Sequence, residues 1–349
     1  MKIKIVTVGT DSLGGIKTVI DNYIETGLYK NIDHRIVTSH KYDKKSLNSL
    51  IFFVSIIKCL LFRIIGYKKF HMHMSMRGSF YRKYILTKIL KCLNSNVIIH
   101  LHGSEFEEFY IKSNVKTKKH IKDLFLIADT TIVLSNSWKK IICRIQPASN
   151  VVVINNFVKE IPKVETEKTN KTIFLFMGEI GDRKGIYDLL HAIKKLSFKR
   201  SDFKVIIGGK GEIKKLNKLI NKLSINEYVK YEGWIVNDRK NYLINYSNVI
   251  ILPSYNEGLP MVIAEAFSNE KTVIMSNVGG IPEIVHHGVN GYLIHAGNIE
   301  EITNSMNMCC NKTITIELGI AGRDSYEKFL SPETVIPKLL EVYESYEKN

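Results

Sequence analysis

Two series of strand, turn and helix segments, separated by one polar stretch, constrain this chain more than any other feature. In the first series, Lys2–Val8 reads as a buried strand, followed by a turn from Gly9 to Gly15 and a helix from about Ile16 to Glu25. Short apolar strands recur at Arg35–Thr38, Val97–Leu101, Thr131–Leu134 and Val151–Ile154. Near Val158 the pattern lapses into Lys159–Lys171, a charged segment containing a proline, which reads as a linker. A second series then runs through Thr172–Met177, Lys204–Ile207, Val229–Tyr231, Val249–Leu252 and Thr272–Met275. Strands that alternate with helices predict a parallel sheet covered on both faces, because parallel strands need crossover connections. At 349 residues the chain can bury two separate cores. The expected organisation is α/β: a Rossmann-like domain over 1–158, the linker 159–171, a second Rossmann-like domain over 172–330 and a terminal segment 331–349. Ligands of such sheets bind at the carboxyl ends of the strands.

Charge separates the two halves. Residues 1–165 hold 27 Lys and Arg against 12 Asp and Glu, and residues 166–349 hold 23 against 22, so nearly all of the net +16 sits in the first half. Such an excess fits an anionic surface, that of a membrane or of lipid phosphates, or a lysine-rich composition without function. No RNA- or DNA-binding signature accompanies it, so nucleic acid is not the expected partner. The five cysteines, Cys59, Cys92, Cys143, Cys309 and Cys310, are scattered and form no C-x-x-C pair. That argues for a reducing cytosol and against a disulfide frame or zinc site. Lys2 enters directly into a strand, which predicts no secretory signal.

Leu50–Tyr67 is strongly apolar but carries Lys58 and Arg63. A spanning helix needs about 20 mostly uncharged residues. Two readings stay open here: a largely buried helix of the first domain, or an amphipathic helix lying on a membrane interface.

Glu257–Glu265, EGLPMVIAE, places two carboxylates eight positions apart across a strand-to-helix junction. Pro260 suits the first position of the following helix, whose free N–H groups would seat a phosphate, and Gly258, Leu259 and Pro260 read as donor-binding residues. Glu257 in the loop and Glu265 inside the helix would reach hydroxyls at opposite ends of a sugar nucleotide, since carboxylates accept from vicinal hydroxyls. Gly14-Gly15 follows the first strand and permits close backbone approach to a diphosphate or sugar, without forming a G-x-G-x-x-G fingerprint. Arg183 and Lys184, in Gly181–Gly185, offer a fork and a point charge to a diphosphate leaving group. The bland alternative is a solvated basic turn. Trp234 reads as a core residue.

The Glu257–Glu265 stretch resembles the E-x7-E motif of retaining family 4 glycosyltransferases, which have the GT-B fold, and the resemblance spans nearly the whole chain. It implies two Rossmann-like domains about a central cleft, with the last helix, about Pro332–Glu347, crossing back to the first. It implies that Glu257 holds hydroxyls of the transferred sugar and Glu265 the ribose, and that Gly208-Gly209-Lys210-Gly211 lines the nucleotide pocket. It further implies that the base is held near Tyr231–Ile235, where Ile235 would present its backbone to the base edge. Gly279–Ile284 and Gly288–Gly291 match a further signature of the family, around the pocket. The family often has an arginine directly after the glycine that matches Gly178; here Glu179 stands there, so the phosphate clamp falls to Arg183 or mainly to Lys184. His102, in His100–Ser104, resembles the histidine that contacts the transferred sugar, with a structural histidine as the alternative. His71, His73, Arg77, Ser79, Ser135 and Ser137 read as wall or acceptor-side residues, and His71 and His73 lack the spacing of a metal site.

The expected activity is a metal-independent, retaining transfer from a nucleotide-sugar donor, with UDP-sugars favoured by the resemblance. No D-x-D motif occurs in the sequence. The expected acceptor is a lipid-linked saccharide at the inner membrane face, in capsule, O-antigen or related polysaccharide assembly. Two alternatives remain: a sugar-nucleotide epimerase of the same fold, and a non-catalytic protein that binds a sugar nucleotide or nucleic acid.

Overall fold

The computed structural model describes residues 2–12, 14–41 and 47–346. Leu13, in the expected turn, and Glu347, the expected end of the last helix, lie outside the described residues. The chain divides into two compact units, Met1–Phe157 with Pro332–Asn349, and Val158–Ser331.

The first unit runs β1 (Lys4–Gly9), α1 (Gly15–Glu25), β2 (Asp33–Thr38), α2 (Asn48–Ile64), β3 (Lys69–Met74), α3 (Gly78–Cys92), β4 (Asn96–Leu101), α4 (Phe106–Lys112), α5 (Val115–Ile127), β5 (Thr130–Val133), α6 (Asn136–Ile145) and β6 (Val151–Val153). All six strands are parallel, in the order β2-β1-β3-β4-β5-β6. The order reverses between β1 and β3, which makes their carboxyl ends the place where a ligand can enter. All six residues of β3 are buried, as expected of a central strand covered on both faces.

The second unit runs β7 (Thr172–Met177), α7 (Ile186–Ser197), β8 (Phe203–Gly208), α8 (Ile213–Leu223), β9 (Val229–Gly233), α9 (Asn237–Tyr246), β10 (Val249–Leu252), α10 (Met261–Phe267), β11 (Thr272–Ser276), β12 (Gly291–Ile294), α11 (Ile299–Cys309) and α12 (Lys312–Phe329). Its parallel sheet has the order β9-β8-β7-β10-β11-β12, so its switch point lies between β7 and β10. Here β12 adds a strand that periodicity alone does not signal, because its four residues begin at the last glycine of a Gly-Val-Asn-Gly turn.

The segment 159–171 is no free linker. It has no regular structure, yet Ile161 is buried, its carbonyl accepts from Asn269 Nδ2 (3.4 Å), and Glu160 accepts from Arg323 Nη1 (2.7 Å). These contacts make it part of the second unit. The last helix, α13 (Pro332–Glu344), belongs to the first unit, where Tyr343 is fully buried.

The apolar run Leu50–Tyr67 forms most of α2, but not as a buried helix. Only Ser55 and Cys59 are buried within the helix, with Phe52, Ile56 and Phe62 packed beside the core. The opposite face, which includes Leu50, Phe53, Val54, Ile57, Leu61 and Ile64, is exposed. Among the described residues, no helix is long and apolar enough to cross a membrane.

Candidate functional site

The loops that leave β7 and β10 are stitched together at the switch point of the second sheet. After β7, a single 3-10 turn, Asp182–Lys184, sets Arg183 and Lys184 ahead of α7. The Tyr255 N–H donates to the Arg183 carbonyl (2.8 Å), and Arg183 Nη1 donates to the Asn256 carbonyl (3.3 Å). Lys184 Nζ donates to Glu257 Oε1 in an ion pair whose side chains are only 14% and 7% exposed. A carboxylate this buried needs such a partner, because desolvation without compensation costs several kcal/mol. Glu179, which stands where the resemblance expects an arginine, pairs with the Arg183 guanidinium (3.1 Å). A pocket of about 320 Å³ opens beside Arg183, walled by Asp182, Tyr187, Asp188 and Tyr255.

Gly279 holds the Glu257 loop from beneath. Its φ is +59°, and a Cβ there would stand 1.9 Å from the Glu257 carbonyl oxygen. The next N–H, of Gly280, donates to the Gly258 carbonyl (2.7 Å). Only glycine fits such an approach at that φ. Pro260 is the residue before α10, with extended backbone (φ −69°, ψ 134°), rather than its first helical residue. The helix that follows is short, at seven residues. Leu259 is 3% exposed, so its side chain is core. Glu265 is buried on α10 and paired with Lys240 of α9 (2.9 Å). Lys240 was not legible as a site residue, since nothing in a separation of 25 positions signals a pair.

At the carboxyl ends of β8 and β9 the chain is also close-packed. Gly209 sits against β7, where a Cβ would fall 1.8 Å from the Gly178 carbonyl oxygen; its own carbonyl accepts from Tyr231 Oη (2.8 Å). Ile235 is half-buried and packs over Gly208. Trp234 is not a core residue as expected. It is 40% exposed, with Lys210 Nζ 5.2 Å from the centre of its ring. Ser254 and Ser276, just after β10 and at the end of β11, keep buried hydroxyls with no partner.

In the first unit, β3 and β4 pair in register with His73 opposite His100, which lines up four imidazoles. His73 Nδ1 and His102 Nε2 share a hydrogen bond (2.9 Å), as do His71 Nε2 and His100 Nδ1 (3.2 Å), and His71 Nδ1 meets Tyr343 Oη (2.8 Å). The rings stack, with His100 and His102 4.2 Å apart between centroids. Burial pushes His71 and His102 down to about 3, and His73 and His100 well below the ordinary range, so all four are neutral near pH 7. His73 is 1% exposed, which corrects its expected place on the acceptor side: it stands behind His102 and fixes that ring. His71 is likewise interior. The ring nitrogens of His71, His73 and His100 lie within 4.8 Å of one another, a grouping that the sequence spacing of His71 and His73 does not reveal.

The other expected residues of this unit lie just past the carboxyl ends of its strands. Gly14 (φ 145°) and Gly15 open α1 after β1, with space around both. Arg77, exposed after β3, has φ 53°, a strained conformation for a side chain of its size. Ser137, on the first turn of α6, bonds Ser135 (2.8 Å), and Ser135 caps the helix by accepting from Trp138 N–H (3.3 Å).

The sequence model of the family Glycosyl transferases group 1 matches residues 157–315. The chain is 28% identical to an uncharacterized glycosyltransferase, MJ1607, of Methanocaldococcus jannaschii, over 61% of this chain and 59% of that protein. It is 25% identical to an uncharacterized 41.2 kDa protein in the cps region of Klebsiella pneumoniae, over 95% of this chain and 97% of that one. The crystal structure of Anabaena HepE in complex with UDP-glucose superposes with a TM-score of 0.78, at 18% identity, over 98% of this chain and 99% of that one. The chain therefore has the GT-B fold and carries a glycosyl transferases group 1 domain.

Proposed function

We propose that the protein is a retaining glycosyltransferase that moves a hexose or N-acetylhexosamine from a UDP-sugar to a lipid-linked saccharide in surface polysaccharide assembly. The observation that carries this is the Lys184–Glu257 ion pair at the switch point of the second sheet, set beside Arg183. On donor binding, Lys184 turns from the carboxylate to the diphosphate. Glu257 is then free to accept hydrogen bonds from hydroxyls of the sugar. Arg183 and Lys184 stabilise the charge that develops as UDP departs, the role otherwise taken by a divalent ion, so the reaction proceeds without metal. Glu265 holds the ribose, with Lys240 keeping it oriented. His102 contacts the transferred sugar as a neutral imidazole. Departure of UDP leaves an oxocarbenium-like centre, and the acceptor attacks from the face that UDP leaves, passing its proton to the leaving oxygen.

The donor class is supported by the fold shared with HepE, which was crystallised with UDP-glucose. The acceptor class is supported by the likeness to a protein of a cps region and by the basic first half. Such an acceptor would be met at the inner face of the membrane. The test is transfer from an α-linked UDP-sugar to a lipid-diphosphate saccharide, with the new anomeric centre read by NMR coupling constants. An α-linked product supports the proposal. A β-linked product excludes retention, and a free epimer of the donor formed without acceptor favours the epimerase.

A further inference from the structure

We propose that the outer face of α2, continued by that of α3, is a docking surface for an anionic lipid bilayer. The helix is apolar on both sides. Its inner stripe meets the core through Cys59, Phe52, Ile56 and Phe62, and its outer stripe repeats at Leu50, Phe53, Val54, Ile57, Leu61 and Ile64. These positions keep helical spacing, so the outer stripe is a continuous face and not a scatter of single residues. The exposures are large, 59% for Phe53, 55% for Leu61 and 79% for Ile64. A helix apolar all round needs an apolar medium on its second side as well.

Charge identifies that medium. Residues 47–104 contain nine Lys and Arg and no Asp or Glu; Lys69 and Lys83 are buried and Lys91 pairs with Asp129 (2.7 Å), which leaves Lys58, Lys68 and Lys88 among the exposed cations of this face. Lys58 and Lys68 flank the stripe in the open, and α3 presents Tyr81, Ile85 and Lys88 on its exposed side. Arg63 Nε donates to the Leu93 carbonyl at the end of α3 (2.9 Å), which ties the two helices side by side. Asp33, an acidic group on the neighbouring strand β2, is occupied by Tyr67 Oη (2.7 Å) and Arg35 (3.4 Å). An apolar stripe rimmed by cations of one sign suits a bilayer, whose acyl region takes Phe53 and Leu61 and whose anionic headgroups meet the lysines. It does not suit a second copy, because a two-fold pairing would set lysine against lysine. The helix lies in the interface plane and does not span the bilayer.

This deepens the lipid-linked acceptor reading and rests on it only for its purpose, since docking is measured with neither donor nor acceptor present. The full chain is spun with phosphatidylcholine vesicles with and without phosphatidylglycerol, next to the Phe53→Glu/Leu61→Glu variant and an Ile316→Glu control on exposed α12. The expected result is sedimentation with the anionic vesicles, weakened by salt, and reduced at least ~10-fold by the double variant but not by the control. Circular dichroism spectra and thermal melts confirm that the variants fold. Three results would overturn the proposal: no partition of the natural chain, equal partition of the double variant, or a dimer in solution that the double variant dissolves.

Discussion

Lys184 and Glu257 form one ion pair between two loops, each of which leaves a different strand of the second sheet. Removing one partner leaves a buried charge alone. Lys184→Ala is expected to cost roughly 3–5 kcal/mol of stability and to lower kcat/KM about 10²–10³-fold. The double variant Lys184→Met/Glu257→Gln should regain much of the stability and none of the activity. Thermal melts and UDP release separate the two effects; unchanged donor affinity in Lys184→Ala would remove the clamp assignment.

Gly279→Ala tests the support beneath that pair. A methyl group would press on the Glu257 carbonyl at a φ that alanine avoids. The expected loss is about 2 kcal/mol or more, with a fall in donor affinity although residue 279 bears no reactive group. Wild-type affinity in a stable Gly279→Ala protein would show that the loop has room to move.

The four stacked imidazoles make a pH prediction with a definite sign. His71 and His102 stay neutral in the folded chain down to about 3, whereas unfolded histidines take up protons near 6.5. The unfolded state therefore binds more protons below 6.5, and stability that is full above that pH is lost progressively as pH falls toward 3. A melting temperature that declines between pH 6.5 and 4, less steeply in His71→Phe, is expected. The rate profile should lack an acid limb from His102 between pH 5 and 8. His73→Phe, which removes the partner of His102, should lower kcat more than it raises KM.

Lys83 is a buried lysine, 2% exposed, with its ammonium on Ser39 Oγ, and burial pushes it down to about 7. The folded state favours the neutral amine, while the unfolded one titrates near 10.5. Stability is therefore full above 10.5 and falls as pH drops through 7. Lys83→Met should stabilise the protein by about 1–4 kcal/mol below pH 7, with the gain shrinking as pH approaches 10.5. Equal gains at pH 6 and pH 10 would show that the lysine is not desolvated.

Strands β7, β8 and β10 of the second unit were legible because each is a short apolar run closed by glycine or proline, as at Val249–Leu252 before Pro253, whereas β12 was not. The pairing within the site was not. Lys184 meets Glu257, and Lys240 meets Glu265, across separations that carry no local pattern. His73 was misplaced for a related reason: alternation puts it on the same face as His71, but only the packing of Tyr23 and of Tyr343 from α13 shows that this face is covered. Trp234 was assigned to the core, whereas its loop holds it in the open beside Lys210. The apolar content of α2 was plain, but the sequence left open whether the helix would be largely buried or would lie on a membrane interface.

The most direct measurement is UDP and GDP release across a panel of sugar nucleotides with chelator present, for the natural chain and Lys184→Ala. One UDP-sugar turned over by the natural chain at an undiminished rate in chelator, and not by Lys184→Ala, is the expected result. Turnover that requires a divalent ion or survives in Lys184→Ala, or no donor bound at all, would contradict the proposed clamp and its chemistry.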